Sequence, residues 1–200
     1  MRRIITLLLS LIVALCFVSC SKAEKQKQSK IGIDVEYYAK AGQIPECEYH
    51  LGQNVDEMLL QLQQRQEAAE EELGEGTHHH SAELDKNFYY HNEEMGLIIT
   101  YGENGCTYRY DTDEKQKGIT HIISSNTAYE FEVSDVSTEI KKAMSSYGFN
   151  TEERALTENE ISYYGAAENA TALEYKFSGK TVLFIFNDNA LFATALYYAD

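Results

Sequence analysis

The chain has 200 residues, a formal net charge of −15, 15 tyrosines, no tryptophan and one proline. That acidity argues against nucleic-acid binding, which needs a lysine and arginine surplus to meet phosphates. A 44% hydrophobic content with so little proline argues against a disordered linker protein.

The first residues read as an export signal. Arg2 and Arg3 form a positive start, and Ile4 to Val18 is a run of 15 residues broken only by Thr6 and Ser10. A transmembrane helix needs about 20 apolar residues, so this run has signal-peptide length instead. Residues 1–19 are therefore expected to be removed. The stretch Phe17-Val18-Ser19-Cys20 resembles a bacterial lipobox, although Phe17 stands where the pattern prefers leucine. The resemblance implies a diacylglycerol thioether on Cys20 and an anchor in the cell membrane or outer membrane, facing away from the cytoplasm. Acyl chains anchor because each buried CH₂ contributes about 0.8 kcal/mol. The alternative is ordinary cleavage nearby, giving a soluble secreted protein. Residues 20–45 follow as the lipidated cysteine and a tether, lysine-rich and without hydrophobic periodicity from Lys22 to Lys30.

Residues 1–30 carry six of the 17 basic residues and one of the 32 acidic ones. The remainder thus has 11 basic against 31 acidic residues, a net −20. Of the four cysteines, Cys16 leaves with the signal and Cys20 takes the lipid, leaving Cys47 and Cys106. In an exported protein this pair either forms a disulfide or stays as two buried thiols.

The body matches itself. At an offset of 74, Tyr89-Tyr90 falls on Tyr163-Tyr164, Tyr101 on Tyr175, Gly105 on Gly179 and Thr107 on Thr181. At an offset of 82, Tyr49-His50-Leu51 falls on Phe131-Glu132-Val133, and Glu57 on Glu139. The change of offset places an insertion at about 70–82, within repeat one at 46–125; repeat two spans 128–200. Each repeat is expected to begin with a short strand, Cys47 to Leu51 or Tyr129 to Val133. A helix follows, with Val55, Met58, Leu59 and Leu62 after an Asn54 cap, or Ile140, Ala143 and Met144 after Ser137. Gly148 is placed to stop the second helix. A meander completes each repeat. In the first, Leu97 to Tyr101, Cys106 to Tyr110 and Ile119 to Ile123 read as strands, with a turn at Glu103-Asn104-Gly105. In the second they are Leu173 to Phe177, Thr181 to Phe186 and Leu191 to Tyr198, turning at Ser178-Gly179 and Asn187-Asp188-Asn189. The expected fold is α+β: two tandem helix-plus-antiparallel-meander repeats, with helices packed on one face of the sheet.

The entry Leu51-Gly52-Gln53-Asn54-Val55-Asp56-Glu57-Met58-Leu59 followed by a meander resembles the beta-lactamase-inhibitor-protein-like lipoproteins. That group includes small outer-membrane-assembly lipoproteins with one such unit and secreted inhibitors with two. The second repeat departs, with Ser134-Asp135 where the first has Gly52-Gln53. The resemblance implies a non-enzymatic, exported binding module.

Candidate sites are few. His78, His79 and His80, flanked by Glu75 and Glu83, suit zinc, copper or nickel in chemistry, yet adjacent histidines in a loop diverge. The plainer reading is a solvated insertion. Asp111-Thr112-Asp113-Glu114 lacks the glycine and distal glutamate of a calcium loop and reads as an acidic turn. The acidic run Glu67 to Glu75 reads as a solvated helix end. Tyr101, Tyr108, Tyr110 and Tyr175 are candidates for partner contact on an outward sheet face, or else half-buried cross-strand pairs. No G-x-S-x-G, H-E-x-x-H, P-loop or G-x-G-x-x-G is present, and no cofactor is implied. The functional expectation is a membrane-anchored envelope lipoprotein, non-catalytic, binding a protein or cell-wall partner. The alternative is metal or ligand capture through His78 to His80.

Overall fold

The computed structural model describes residues 32, 34–73, 87–102, 105–114 and 117–199. The signal, Cys20, the tether through residue 30 and the loop at His78, His79 and His80 lie outside the described residues. The architecture is mixed α+β, built on one eight-stranded antiparallel sheet.

Four helices are described. α1 covers residues 34–41 and buries Val35 and Ala39. α2 is Val55–Leu73. Asn54 caps it as the sequence suggests, its side-chain oxygen accepting the Glu57 N–H at 3.0 Å. Val55, Met58 and Leu62 form the buried stripe. α3, Ser137–Ser145, buries Ile140, Ala143 and Met144. α4, Glu158–Tyr164, opens with a capping box between Thr157 and Glu160 and closes on Gly165 in the left-handed region.

The strands are β1 Tyr89–Asn92, β2 Leu97–Thr100, β3 Cys106–Tyr110, β4 Ile119–Ser124, β5 Arg154–Ala155, β6 Thr171–Phe177, β7 Lys180–Asn187 and β8 Ala190–Tyr198. Their spatial order is β1-β2-β3-β4-β8-β7-β6-β5, so the two meanders meet through their last strands. Between β1 and β2 the chain reverses at Gly96, whose φ of +57° only glycine takes cheaply. A Cβ there would stand 2.2 Å from the Tyr110 carbonyl oxygen.

Register sorts the side chains between two faces. Ile98, Tyr108, Ile122, Leu196, Val182, Phe184 and Tyr175 lie on the first face, under α1, α2 and α3. Phe184 is the aromatic hub, packing edge-on against Tyr129, Phe131 and Tyr175. Such contacts add about 0.5 to 1.5 kcal/mol each beyond area burial. Cys106 on β3 is disulfide-bonded to Cys47 with Cα atoms 6.0 Å apart, tying this core to the segment before α2.

Several expectations need correction. The helices do not all share one face: α4 packs on the second face, where Ile161, Tyr163 and Tyr164 cover Leu183, Ile185 and Ala195. The reason is that β6, β7 and β8 are apolar on both faces, with Val182 to Phe186 buried without a break. A sheet apolar on both sides needs a layer on both. Cys47 to Leu51 and Tyr129 to Val133 are turns and bends rather than strands. Tyr129 and Glu130 have φ of 55° and 66°, and the Glu46 carboxylate accepts both of their N–H groups at 3.0 and 3.2 Å. Tyr163-Tyr164, matched in sequence to Tyr89-Tyr90, lies on a helix while its counterpart lies on β1. The Thr157 capping box and Gly165 dictate that helix locally.

Candidate binding face

The second face differs between the two halves of the sheet. Over β6 to β8 it is roofed by α4. Over β3 and β4 α4 reaches it at Arg109, His121 and Ile123, and over β1 and β2 no described helix packs on it. Register brings Tyr90 opposite Ile99, Ile99 opposite Thr107, and Leu97 opposite Arg109 on this side. Leu97, Ile99 and Thr107 are only partly buried, and Tyr90 is 46% exposed. The result is a shallow apolar strip with a tyrosine at its outer end.

The strip ends at a cationic and aromatic cluster where the halves join. Arg109 on β3 stands opposite His121 on β4, which stands opposite Tyr197 on β8. The His121 ring is stacked on Tyr197 at 5.2 Å and tilted against Tyr163 of α4 at 5.5 Å. The Arg109 guanidinium sits 4.0 Å over the Tyr163 ring and donates through Nη2 to the Tyr163 carbonyl at 3.3 Å. Its Nε is buried with no hydrogen-bond partner among the described residues. The other two described arginines are committed to carboxylates, Arg65 to Glu48 and Arg154 to Glu160 and Glu174. Arg109 therefore holds α4 to the sheet through Tyr163 and keeps one buried donor, Nε, without a partner among the described residues.

The neighbouring phenols are not poised for proton transfer. Burial pushes the hydroxyls of Tyr163, Tyr164 and Tyr197 above the ordinary tyrosine range. They remain neutral at physiological pH. The cluster offers ring faces and a guanidinium, which is recognition chemistry.

The tyrosines singled out from sequence fall differently. Tyr101 is 47% exposed at the end of β2. Tyr108, Tyr110 and Tyr175 are buried in the first-face core, the half-buried cross-strand alternative rather than the outward one. Tyr108 packs edge-on against Tyr49. Tyr110 bonds His91 Nε2 at 2.8 Å. Burial pushes the Tyr175 hydroxyl up to about 12. Arg109 went unread, though its signal was present: in Cys106-Thr107-Tyr108-Arg109-Tyr110, period two puts the polar pair opposite the apolar three.

Among the described residues no group of three or more His, Cys, Asp or Glu is arranged to hold a metal ion. Asp111 turns its carboxylate back onto the Asp113 N–H at 2.9 Å, an Asx turn. No described helix is long and apolar enough to cross a membrane. No protein-family model, curated protein or solved structure matches the chain.

Proposed function

We propose that the chain is a lipid-anchored, non-catalytic binding module of the bacterial cell envelope, held through Cys20, whose partner docks on the open second face of β1 to β4. The observation that carries this reading is the asymmetry of the sheet. The half at β6 to β8 is covered on both faces, whereas among the described residues Tyr90 is exposed and Leu97, Ile99 and Thr107 are only partly buried, beside the guanidinium of Arg109. Exposed apolar strips with an aromatic and an arginine at the margin have the composition of protein interfaces. The partner fitted to this face is a protein surface with apolar side chains and a carboxylate for Arg109. A net charge of −15 makes nucleic acid a poor fit.

We further propose that the body is a tandem repeat of helix and meander. α2 and α3 start 82 positions apart, and β3 and β7 start 74 apart, the two offsets at which the sequence matches itself. This order is the one expected of beta-lactamase-inhibitor-protein-like lipoproteins, and it supports a binding rather than catalytic class.

The test is crosslinking in intact cells with the wild type and Cys20→Ala side by side. One dominant envelope protein, captured only by the anchored form and lost in Arg109→Gln, is expected. Capture independent of both residues, or no specific capture, overturns the proposal.

A further inference from the structure

The sheet has an unfilled edge. β5 pairs with β6 only at Ala172 and Thr171, so among the described residues no strand lies beside Glu174 to Phe177. The hairpin to β7 fixes which backbone groups face that edge. Ser178 and Gly179 form a two-residue turn with both φ positive, which makes Phe177 and Lys180 a mutually hydrogen-bonded pair. Alternation then turns the N–H and C=O of Phe177, Tyr175 and Leu173 toward β7. Those of Lys176, Glu174 and Ala172 point outward. The Leu156 N–H bond to the Ala170 carbonyl at 3.0 Å, across this same edge, agrees with that parity. Beside the edge, the segment 148–152 leaves an open groove of about 630 Å³.

Edge strands commonly carry a lysine because two like charges meeting across a seam block pairing. Lys176 alone would serve that purpose. Here Glu174 stands two positions away on the same face, one carboxylate oxygen 3.0 Å from the Arg154 Nη2 and the other 3.3 Å from the Lys176 Nζ, so it can still accept from a second lysine. A strand with Glu174 and Lys176 flanking Tyr175 is self-complementary. If a second copy runs antiparallel with Tyr175 opposite its own equivalent, Glu174 of each chain faces Lys176 of the other. Both residues have outward N–H and C=O groups, so that pair is also the hydrogen-bonded one. Charge and parity select the same register. Lys176 is 70% exposed at its side chain, so its long contact to Glu174 can be exchanged for one across the seam.

We propose that β6 is a self-pairing edge through which two copies of this chain form an isologous dimer, continuing the antiparallel sheet across the two-fold axis. The interface is short, so the association is weak and depends on concentration. It lies at the far end of the sheet from the open β1 to β4 face, and it stands independently of the partner proposed above.

The test is sedimentation of the full chain in detergent over a concentration series, with Lys176→Glu in parallel. The wild type is expected to show a monomer–dimer equilibrium. Lys176→Glu is expected to weaken it by at least about tenfold, because two cross-strand pairs change together from attraction to repulsion. Register is read by mixing Glu174→Cys protein with Lys176→Cys protein under mild oxidation. A disulfide between the two variants, much stronger than either variant forms with itself, supports the pairing. This arm holds even if Lys176→Glu perturbs the fold. A chain monomeric throughout, a dimer indifferent to Lys176→Glu without the mixed disulfide, or open-ended fibres each overturn the proposal.

Discussion

The two halves of the sheet are built from the same kind of hairpin but finished differently. In β6, β7 and β8 most positions are buried, Thr181 to Phe186 without a break, and the chain supplies α4 to cover the second face. In β1, β2 and β3 only one face is buried, and polar or half-exposed residues alternate with the core set. The second half is thus a structural slab. The first half puts one face against the core and leaves the other less covered, the surface proposed to meet a partner. Exposure of side chains with the same apolar character distinguishes a stabilising surface from a docking surface.

This contrast can be broken or sharpened by substitution. The largest effect is expected from the double variant Cys47→Ala/Cys106→Ala, which frees the segment before α2 from the first-half core. The bridge spans 59 positions, and its loss should cost about 4 kcal/mol in urea unfolding on the chain-entropy account. Next comes a matched pair on the second face. Leu183→Ala, under α4 and fully buried, should cost about 3 kcal/mol. Ile99→Ala, on the open half, should cost about 1 kcal/mol or less while reducing partner capture. Equal costs would mean that the first-half face is covered after all.

A smaller effect concerns acid. Arg154 beside Glu160 holds that carboxyl down to about 2, against an ordinary 4.5. A depressed folded pKa means this stabilisation is complete above the ordinary value and is lost as pH falls from there toward about 2. The α4 cover should loosen in that window, seen as a change in near-ultraviolet tyrosine dichroism. Glu160→Gln should remove the contribution and flatten that part of the profile. The smallest effect is expected from Tyr175→Phe, which deletes a buried hydroxyl with no hydrogen-bond partner among the described residues and should leave stability unchanged or raise it by up to about 1 kcal/mol. Tyr129→Phe is its counterpart. That hydroxyl donates to the Gln43 carbonyl at 2.9 Å, and losing it should cost about 1 kcal/mol.

Much of the fold was legible because its signals are local. The Asn54 cap, the Met58 and Leu62 stripe and the Ser178-Gly179 turn each specify their element without distant help. What escaped depended on long-range choices. Period two shows that Tyr108 and Tyr110 share a face, but the core side is fixed by the disulfide at Cys106 and the Tyr49 contact. Of the two readings left open for those tyrosines, the outward one would reverse the strand and hide Arg109. The turn at Tyr129 and Glu130 reads as a strand by composition, but the paired backbone bonds of Ala128 and Phe131 and the Glu46 carboxylate, 83 and 84 positions away, hold it in the left-handed region. The α4 helix was obscured by the tyrosine match to β1, although its capping box was visible at Thr157 and Glu160.

The account rests on the second face of β1 to β4 being the surface that meets a partner. The most direct measurement places a photo-crosslinking residue at Ile99 in the intact cell, with the same residue at exposed Ser162 on α4 as the comparison. The account predicts one discrete adduct from position 99, none from position 162, and loss of the adduct when Arg109→Gln is added. Adducts of equal yield from both positions, or from position 162 alone, would contradict it.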